Sequence, residues 1–352
     1  MDLDPRGDLI ELFQRIVDIE SVSGNERELA DAIEAALVPL GHLDVLRDGD
    51  TLIARTNLGR AQRAVIAGHL DTVPTAGNLP SRLAGGVLHG RGTVDMKGGV
   101  AVMLQVAALA DAPSRDLTWI FYDHEEVAAT DNSLTRIAAT RPDALRGDFA
   151  ILMEPTSARV EGGCQGTLRY VVTTHGKAAH SARSWMGHNA IHDAGEVLRR
   201  LAAYEPRTAE VEGLTFREGM NAVDISGGIA GNVIPDRCAV TVNFRFAPDR
   251  SEADAVAHCR EVMAGYDIEV IDLALGARPG LDRPLAREFM AAVGGTPLAK
   301  FGWTDVARFS ALGTPAVNFG PGDALKAHAD DESCPVTDLY ICRDALLRWL
   351  EG

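Results

Sequence analysis

Apolar positions in the first half of the chain recur in two rhythms, one typical of helices and one of buried strands. After Asp8, apolar residues recur at helical spacing to Val17, and a second such run follows Ser23–Glu26, a segment typical of a capping box. Short runs that are almost wholly apolar predict buried strands at Thr51–Thr56, Arg63–Gly68, Leu117–Tyr122 and Phe149–Met153. With a further helix predicted from Gly98 to about Ala110, this alternation indicates an α/β domain with a mainly parallel sheet.

The middle third of the chain has a different pattern. Thr167–Thr174 alternates between apolar and polar residues, as a half-exposed strand does. The elements predicted after it are a helix, two strands, a helix and a strand, at Asn189–Tyr204, Ala222–Ala230, Arg237–Phe246, Glu252–Ala264 and Ile268–Leu273. This βαββαβ order is that of a split ferredoxin-like unit. Because the first pattern resumes near Leu281, we expect one domain of residues 1–165 and 281–352, with residues 166–280 inserted into it.

Composition limits the classes of partner. The 352-residue chain carries a formal net charge of -16, which argues against nucleic acid or an anionic membrane, because both need a basic face on the protein. Five scattered cysteines without a C-x-x-C pair favour reduced thiols over a disulfide framework. The start of the chain lacks the basic region of a signal peptide, and no apolar run is long enough to span a bilayer. We therefore expect a soluble cytoplasmic protein.

Acidic and imidazole groups gather where the predicted strands end. In an open parallel sheet, functional groups lie beyond the carboxyl ends of the strands. The candidates that directly follow a predicted strand, or lie on a loop near the same edge, are His69, Asp95, His124, Glu125, Glu126, Glu154 and His328. Each is a weak signal alone, since a pair of glutamates is usually a solvated surface and an aspartate among glycines is more often a turn residue. Their joint placement at one edge indicates a metal site.

The candidate ligands are histidines and carboxylates without a thiolate, a set that suits zinc, cobalt or manganese. One ion could not use five ligands and remain catalytic, whereas two ions that share a carboxylate could. Side chains of the adjacent Glu125 and Glu126 cannot point the same way from an extended segment, so one can bind metal while the other acts as general base. Asp71 is expected to accept from the second ring nitrogen of His69 and orient it.

These motifs resemble those of a known family, the aminoacylase/carboxypeptidase-type di-zinc hydrolases, over nearly the whole chain. The stretches that carry the resemblance are His69-x-Asp71, Gly90-Arg91-Gly92, Asp95–Gly99, Glu125-Glu126, Glu154-Pro155-Thr156 and His328. The resemblance implies a zinc-peptidase-like catalytic domain with an inserted ferredoxin-like lid or dimerisation domain. It also implies two zinc or cobalt ions per subunit, one on His69 and Glu154, the other on Glu126 and His328, with Asp95 as the bridge. Glu125 would be the general acid/base and Asp71 the orienting carboxylate.

Four further segments resemble the actinobacterial members of the family that remove a succinyl group from N-succinyl-LL-2,6-diaminopimelate. They are Glu161–Leu168, Ala179–Trp185, Gly231–Asp236 and Phe301–Phe309. The resemblance implies hydrolysis to succinate and LL-2,6-diaminopimelate, a step of lysine and diaminopimelate biosynthesis. It implies that His180 of the inserted domain reaches the reaction's oxyanion across a homodimer. It assigns substrate contacts to Asn232, Arg245, Thr304 and Arg308.

Three alternatives stay open. A sister enzyme, such as an N-acetylornithine deacetylase, an aminoacylase or a dipeptidase, would differ in the basic groups at its acyl pocket. A succinyl carboxylate needs a partner such as Arg183, Arg245 or Arg308. A non-catalytic protein of this fold would have broken ligands or no base, and none is missing here. Phosphatase or nuclease chemistry is possible on two metals, but an acidic chain without a phosphate-cradling loop argues against it.

Overall fold

The computed structural model describes residues 3–351, which divide into two compact units. One unit takes in the chain up to Gly162, the segment Pro279–Leu298 and the chain from Arg308 onward. The other consists of Gly163–Arg278 and the short segment Ala299–Ala307. Within the part of the chain that is described, no helix is both long and apolar enough to cross a membrane.

The helices and strands of both units have the following bounds. The α-helices are α1 (Leu9–Asp18), α2 (Arg27–Leu37), α3 (Lys97–Leu109), α4 (Ser133–Thr140), α5 (Pro142–Leu145), α6 (Ala190–Ala202), α7 (Glu252–Val262), α8 (Pro284–Val293), α9 (Val306–Ala311) and α10 (Val336–Glu351). Short 3-10 helices lie at Val38–Leu40, Ser181–Met186 and Ala324–Lys326. The strands are β1 (Asp44–Asp48), β2 (Thr51–Arg55), β3 (Arg63–His69), β4 (Arg82–Ala84), β5 (Val87–His89), β6 (Asp116–Tyr122), β7 (Phe149–Leu152), β8 (Glu161–Gly162), β9 (Gly166–His175), β10 (Ala179–His180), β11 (Thr208–Val211), β12 (Leu214–Arg217), β13 (Gly219–Gly227), β14 (Val233–Ile234), β15 (Arg237–Phe246), β16 (Ile268–Ala274), β17 (Leu298–Ala299), β18 (Ala316–Asn318) and β19 (Ser333–Pro335).

A mixed sheet of eight strands forms the centre of the first unit, in the order β1-β2-β6-β3-β7-β18-β8-β17. Its four central strands, β6, β3, β7 and β18, run parallel to one another. All seven residues of β6 are buried, as expected of a strand covered on both faces. The predicted α/β domain is confirmed. Antiparallel pairing is confined to the flanks, where, for example, the tight turn at Gly49 joins β1 to β2.

The two predicted starts of the N-terminal helices have different outcomes. The carboxylate of Asp8 accepts from two backbone N–H groups and caps α1, as its position predicts. The capping box predicted for Ser23 and Glu26 is wrong, because α2 begins after Glu26 without a side-chain cap. Ser23 instead donates its hydroxyl to the carboxylate of Asp71. A tertiary hydrogen bond has therefore replaced the local one.

The second unit is a four-stranded antiparallel sheet in the order β13-β15-β9-β16. Its elements follow one another as β9, α6, β13, β15, α7 and β16, so the predicted ferredoxin-like βαββαβ order is confirmed. Buried side chains of the central strands pack with those of α6 and α7 in one apolar cluster. The hairpin of β11 and β12, which was not predicted, is added between α6 and β13.

Candidate metal centre

His69 is the last residue of β3, and only 1% of it is exposed. Its Nδ1 donates to the backbone carbonyl of Asp71 at 2.9 Å, while the carboxylate Oδ1 of Asp71 lies 3.6 Å away. Its Nε2 lies 3.0 Å from Oδ1 of Asp95. A histidine that donates from Nδ1 keeps Nε2 available as a ligand atom. The ring is therefore oriented by Asp71, chiefly through the backbone carbonyl.

Asp95 lies between two histidines that come from opposite ends of the chain. Its Oδ1 faces His69, and its Oδ2 lies 3.4 Å from Nε2 of His328. The same Nε2 is 2.9 Å from Oε1 of Glu126. His69, Asp95 and Glu126 offer ligand atoms that all lie within 4.8 Å of one another. Nitrogen and oxygen donors around a carboxylate with one oxygen toward each imidazole fit a pair of divalent cations.

Glu154 reaches the same edge of the sheet from β7. The N–H of Met153 donates to the carbonyl of Ala67 on β3, so Glu154 and His69 leave neighbouring parallel strands side by side. Glu154 is 6% exposed. Helix α3 packs tightly here, since a Cβ at Gly99 would lie 2.4 Å from the carbonyl oxygen of Met153. Only glycine allows the helix that follows Asp95 to approach this strand end so closely.

The carboxylate of Asp71 holds the backbone of the glutamate pair. It is fully buried, and its two oxygens accept from the N–H groups of Glu125 at 2.9 Å and Glu126 at 3.0 Å. The hydroxyl of Ser23 donates to it at 2.7 Å. Asp71 thus positions His69 with its carbonyl and both glutamates with its side chain. The sequence predicted that Asp71 would accept from His69 through its carboxylate, but the backbone carbonyl is the closer acceptor. The contacts with the two glutamates emerge only from the fold.

The pKa values within the cluster are strongly shifted. Hydrogen bonds that His328 donates to the carboxylates of Asp95 and Glu126 raise the pKa of its imidazole to about 10. Burial alone would lower the pKa of His69, but its contacts with Asp71 and Asp95 raise it well above the usual value. Burial alone would raise the pKa of Asp71, but the hydrogen bond with His69 and the two backbone N–H donors lower it to about 2. A cluster that stabilises protonated imidazoles beside carboxylates is one in which divalent cations can replace those protons.

Two buried charged residues, Glu332 and Arg91, support the centre, and a third, Lys97, lies two residues after Asp95; the sequence did not point to these contacts. Glu332 accepts from the backbone N–H groups of two residues, one of which is Asp95, and pairs with Arg91 at 2.9 Å. The Nζ of Lys97 donates to the carbonyl of Ile19 at 2.6 Å, and burial lowers its pKa to about 7. The available signals were slight: an arginine between two glycines and a glutamate four residues after His328.

Two of the predicted residues of the inserted domain lie together in a corner of the second unit. Strand β10 pairs with β14, with His180 opposite Val233. The N–H of Ser181 donates to the carbonyl of Asn232 at 2.8 Å. His180 is exposed, and its Nδ1 accepts from the N–H of Ala182. The fold therefore brings His180 and Asn232 close, and leaves the imidazole at the surface of its unit.

The remaining candidates are spread over the two units. Arg245 lies on β15, where burial and then the nearby Arg169 lower the pKa of its guanidinium. Thr304 is buried in the second unit. Arg308 belongs to the first unit and donates to the hydroxyl of Thr135 at 2.5 Å. That contact ties it to the segment that follows the glutamate pair.

Comparison with known sequences gives full-length relatives. The chain is 52% identical over 353 residues to a Mycobacterium tuberculosis protein provisionally named succinyl-diaminopimelate desuccinylase DapE, covering 99% of this chain and 100% of that protein. It is 48% identical over 359 residues to the succinyl-diaminopimelate desuccinylase of Corynebacterium glutamicum, covering 99% of this chain and 97% of the relative.

Solved structures with the same fold are more distant in sequence. The crystal structure of aminopeptidase PepT from Bacillus cereus superposes with a TM-score of 0.78 at 18% identity, covering 97% of each chain. YXEP of Bacillus subtilis, described as a dinuclear metal binding peptidase from the M20 family, has a TM-score of 0.72 at 17% identity, covering 97% of this chain and 96% of YXEP. Residues 65–352 match the profile of Peptidase family M20/M25/M40. The chain therefore belongs to Peptidase family M20/M25/M40.

Proposed function

We propose that this chain is a metal-dependent amidohydrolase that converts N-succinyl-LL-2,6-diaminopimelate and water to succinate and LL-2,6-diaminopimelate. The observation that carries the chemistry is the position of Asp95, with one carboxylate oxygen toward each of two histidines. The choice of substrate is supported by the desuccinylase name of the full-length relatives at 52% and 48% identity. In this role the enzyme would serve lysine and diaminopimelate biosynthesis.

Two zinc or cobalt ions per subunit complete the site in this proposal. His69 and Glu154 would hold one ion, Glu126 and His328 the other, and Asp95 both. Imidazole and carboxylate ligands without thiolate support this choice of metals. When bound, such ions make a water molecule nucleophilic near neutral pH and polarise an amide carbonyl.

The proton transfers belong to Glu125. It accepts a proton from the attacking water and returns it to the amine as the amide bond breaks, which balances the reaction without a further acid. The backbone N–H of Glu125 donates to the carboxylate of Asp71, and this bond keeps Glu125 in place. His180 donates to the oxyanion that forms on the carbonyl oxygen. Since it lies in the inserted domain, this contact requires domain closure, contribution from a second subunit, or both.

Recognition of the substrate falls to polar groups beside the reacting amide. Asn232, Thr304, Arg245 and Arg308 are the candidates for its carboxylates and amines. An arginine can bind a carboxylate through two parallel hydrogen bonds, which suits the succinyl group better than a neutral acetyl group. A pocket without such an arginine would instead favour the alternative, a related hydrolase of N-acetylornithine, other N-acyl amino acids or dipeptides.

We further infer that the chain consists of a catalytic domain, residues 1–165 and 281–352, and an inserted domain, residues 166–280. Two chains would form a homodimer through their inserted domains. The edge strand β13 supports it, because Val223 and Ile225 on this strand are 58% and 48% exposed. An unpaired strand edge with apolar side chains is a surface that favours association. Val223→Asp with Ile225→Asp should give a monomer in sedimentation, whereas Leu58→Asp, at an exposed position of the other unit, should not.

All five cysteines are free thiols, which supports a cytoplasmic location.

A substrate comparison tests the proposal. The protein is stripped with a chelator, reloaded with Zn²⁺ or Co²⁺, and assayed on N-succinyl-LL-2,6-diaminopimelate, N-acetylornithine and a dipeptide. We expect activity only after reloading and the highest kcat/KM on the succinylated substrate. A higher kcat/KM on either of the other two would contradict the desuccinylase assignment, and activity that survives chelation would contradict the metal site.

A further inference from the structure

Two buried charged residues fasten the loop that carries His328 to the segment that carries Asp95. Glu332 is 1% exposed, and its Oε1 accepts from the N–H groups of Val94 at 2.9 Å and Asp95 at 3.3 Å. Its Oε2 accepts from Nη1 of Arg91 at 2.9 Å. A single buried carboxylate is therefore bonded to three groups of the Asp95 segment. A charge buried this deeply is stable only when it is paired in this way.

Arg91 extends the connection to two more segments. It is 3% exposed, and its Nη1 also donates to the carbonyl of Ala329, the residue after His328, at 3.1 Å. Its Nε donates to the carbonyl of Pro74 at 3.0 Å, three residues beyond Asp71. The rigid fork of the guanidinium thus joins the segments that follow Asp71 and His328 to the one that precedes Asp95.

His328 is held less by packing than His69 is. Its side chain is 51% exposed, so packing holds it only in part. Its φ of 64° is in the left-handed region, which few residues other than glycine adopt without support from their surroundings. By contrast, His69 ends a buried strand whose neighbours on both sides fix it in the sheet.

We propose that Arg91 and Glu332 are positioning residues for one half of the metal centre, the half made by His328, Glu126 and Asp95. By fixing the loop of His328, the pair sets the affinity of that half for its cation. The other half depends on the pair only through the shared Asp95, because the sheet holds His69 and places Glu154 at the end of the neighbouring strand. This inference rests on the proposed function, in that it requires a site for two cations.

The test is a titration of the chelated full-length protein with Co²⁺, followed by calorimetry and by the visible absorption of the bound ion. Glu332→Gln preserves the size of the side chain but removes its charge. The amide NH₂ group would then face the N–H donors of Arg91, Val94 or Asp95. We expect the ion on Glu126 and His328 to bind at least tenfold more weakly, because residues that hydrogen-bond a ligand commonly contribute 10- to 100-fold in affinity. The ion on His69 and Glu154 should lose much less affinity, since only Asp95 connects it to the pair. Turnover of N-succinyl-LL-2,6-diaminopimelate should recover most of its wild-type kcat when excess Co²⁺ fills the weakened site.

Glu218→Gln is the matched control. Glu218 has a fully buried side chain in the second unit, and it accepts from Arg250 at 2.7 Å and from Arg207 at 2.9 Å. Both variants lose a buried, arginine-paired carboxylate, so both should have a lower Tm. Only Glu332→Gln should weaken an ion. Arg91→Lys keeps the positive charge but lacks the planar guanidinium. It should weaken the same ion although the carboxylate of Glu332 is intact.

The outcomes separate this inference from the function on which it rests. Unchanged binding in both Glu332→Gln and Arg91→Lys, equal weakening of both ions, or the same loss in Glu218→Gln would overturn the positioning role and leave the hydrolase intact. A wild-type chain that binds fewer than two ions, or binds two and fails to hydrolyse any of the three substrates, would overturn the proposed function itself. That result is obtained before any variant is compared.

Discussion

The metal centre and the corner of the inserted unit around His180 are built in contrasting ways. At the centre, His69 and Asp71 are almost wholly buried, and Asp71 is bonded to residues far away in the sequence. Around His180 the imidazole is exposed, and the bonds are local or come from the two-residue strand β14. One region is made rigid by the core of its unit, whereas the other is a surface feature.

This contrast separates two kinds of task. Ligands for a cation must be held in place before the cation arrives, so they are best placed at strand ends and fixed by buried hydrogen bonds. Groups that act on a substrate can lie on exposed elements, where binding energy brings them into position. Substitutions of the groups that hold cations should therefore change metal binding and stability, whereas substitutions of the groups that act on the substrate, Glu125 and His180, should change only turnover. Four predictions test this division.

The largest effect is expected for Glu125→Ala. Loss of the general acid/base should lower kcat 10²- to 10⁴-fold. Metal content should stay at two ions, because the contact of residue 125 with Asp71 is made by the backbone N–H and survives the change. Glu126→Ala is the matched control and should lose an ion. Steady-state kinetics with metal analysis check both, and a Glu125→Ala enzyme with most of its activity would disprove the assignment.

His180→Ala tests the other region. Removing an oxyanion donor should lower kcat 10²- to 10³-fold, while Tm and metal content stay at wild-type values because the imidazole is exposed. His192→Ala, at another exposed histidine of the same unit, should leave kcat unchanged. Kinetics, calorimetry and metal analysis are compared for the two variants. Equal kcat in both would mean that His180 has no part in the reaction.

Asp71→Asn should lower both the stability of the protein and its affinity for metal. Its amide would face the N–H groups of Glu125 and Glu126, which costs about 1–3 kcal/mol of stability, and metal affinity should fall about 10- to 100-fold. Asp116→Asn is a close control, because Asp116 also accepts from two backbone N–H groups and one hydroxyl, away from the centre. Denaturant unfolding should show that both variants are less stable than the wild type. Metal affinity should fall only in Asp71→Asn, and equal metal affinity in the two variants would contradict the role of Asp71.

The smallest effect is the pH dependence of cation binding. Because Asp95 and Glu126 raise the pKa of His328 to about 10, the chelated protein keeps a proton there at pH 8. A cation must displace that proton, so its affinity should fall about tenfold for each pH unit of acidification below pH 10 per proton released. Calorimetry in buffers of different ionisation enthalpy counts the protons. Release of none at pH 8 would argue against His328 as a ligand.

Much of this architecture was predictable from local patterns. Short apolar runs predicted the central strands, and the order of elements predicted the ferredoxin-like insertion, since periodicity records which side chains are buried. The candidate ligands His69, Glu126 and Glu154 were found because parallel strands end at one edge of a sheet. His328 and Asp95 lie on loops near the same edge, which made them candidates, and the family motifs then implied their roles as ligands.

Other features were decided only by the tertiary structure. Ser23 was expected to cap a helix, yet its hydroxyl donates to Asp71, 48 residues away in the sequence. Arg91 and Glu332, separated by 241 residues, meet as a buried pair beside Asp95. Periodicity reports burial within one element, whereas these hydrogen bonds join segments that become neighbours only when the sheet and its loops assemble. The sequence by itself determined which chemical groups reach the centre, and the assembled fold decided how they are held there.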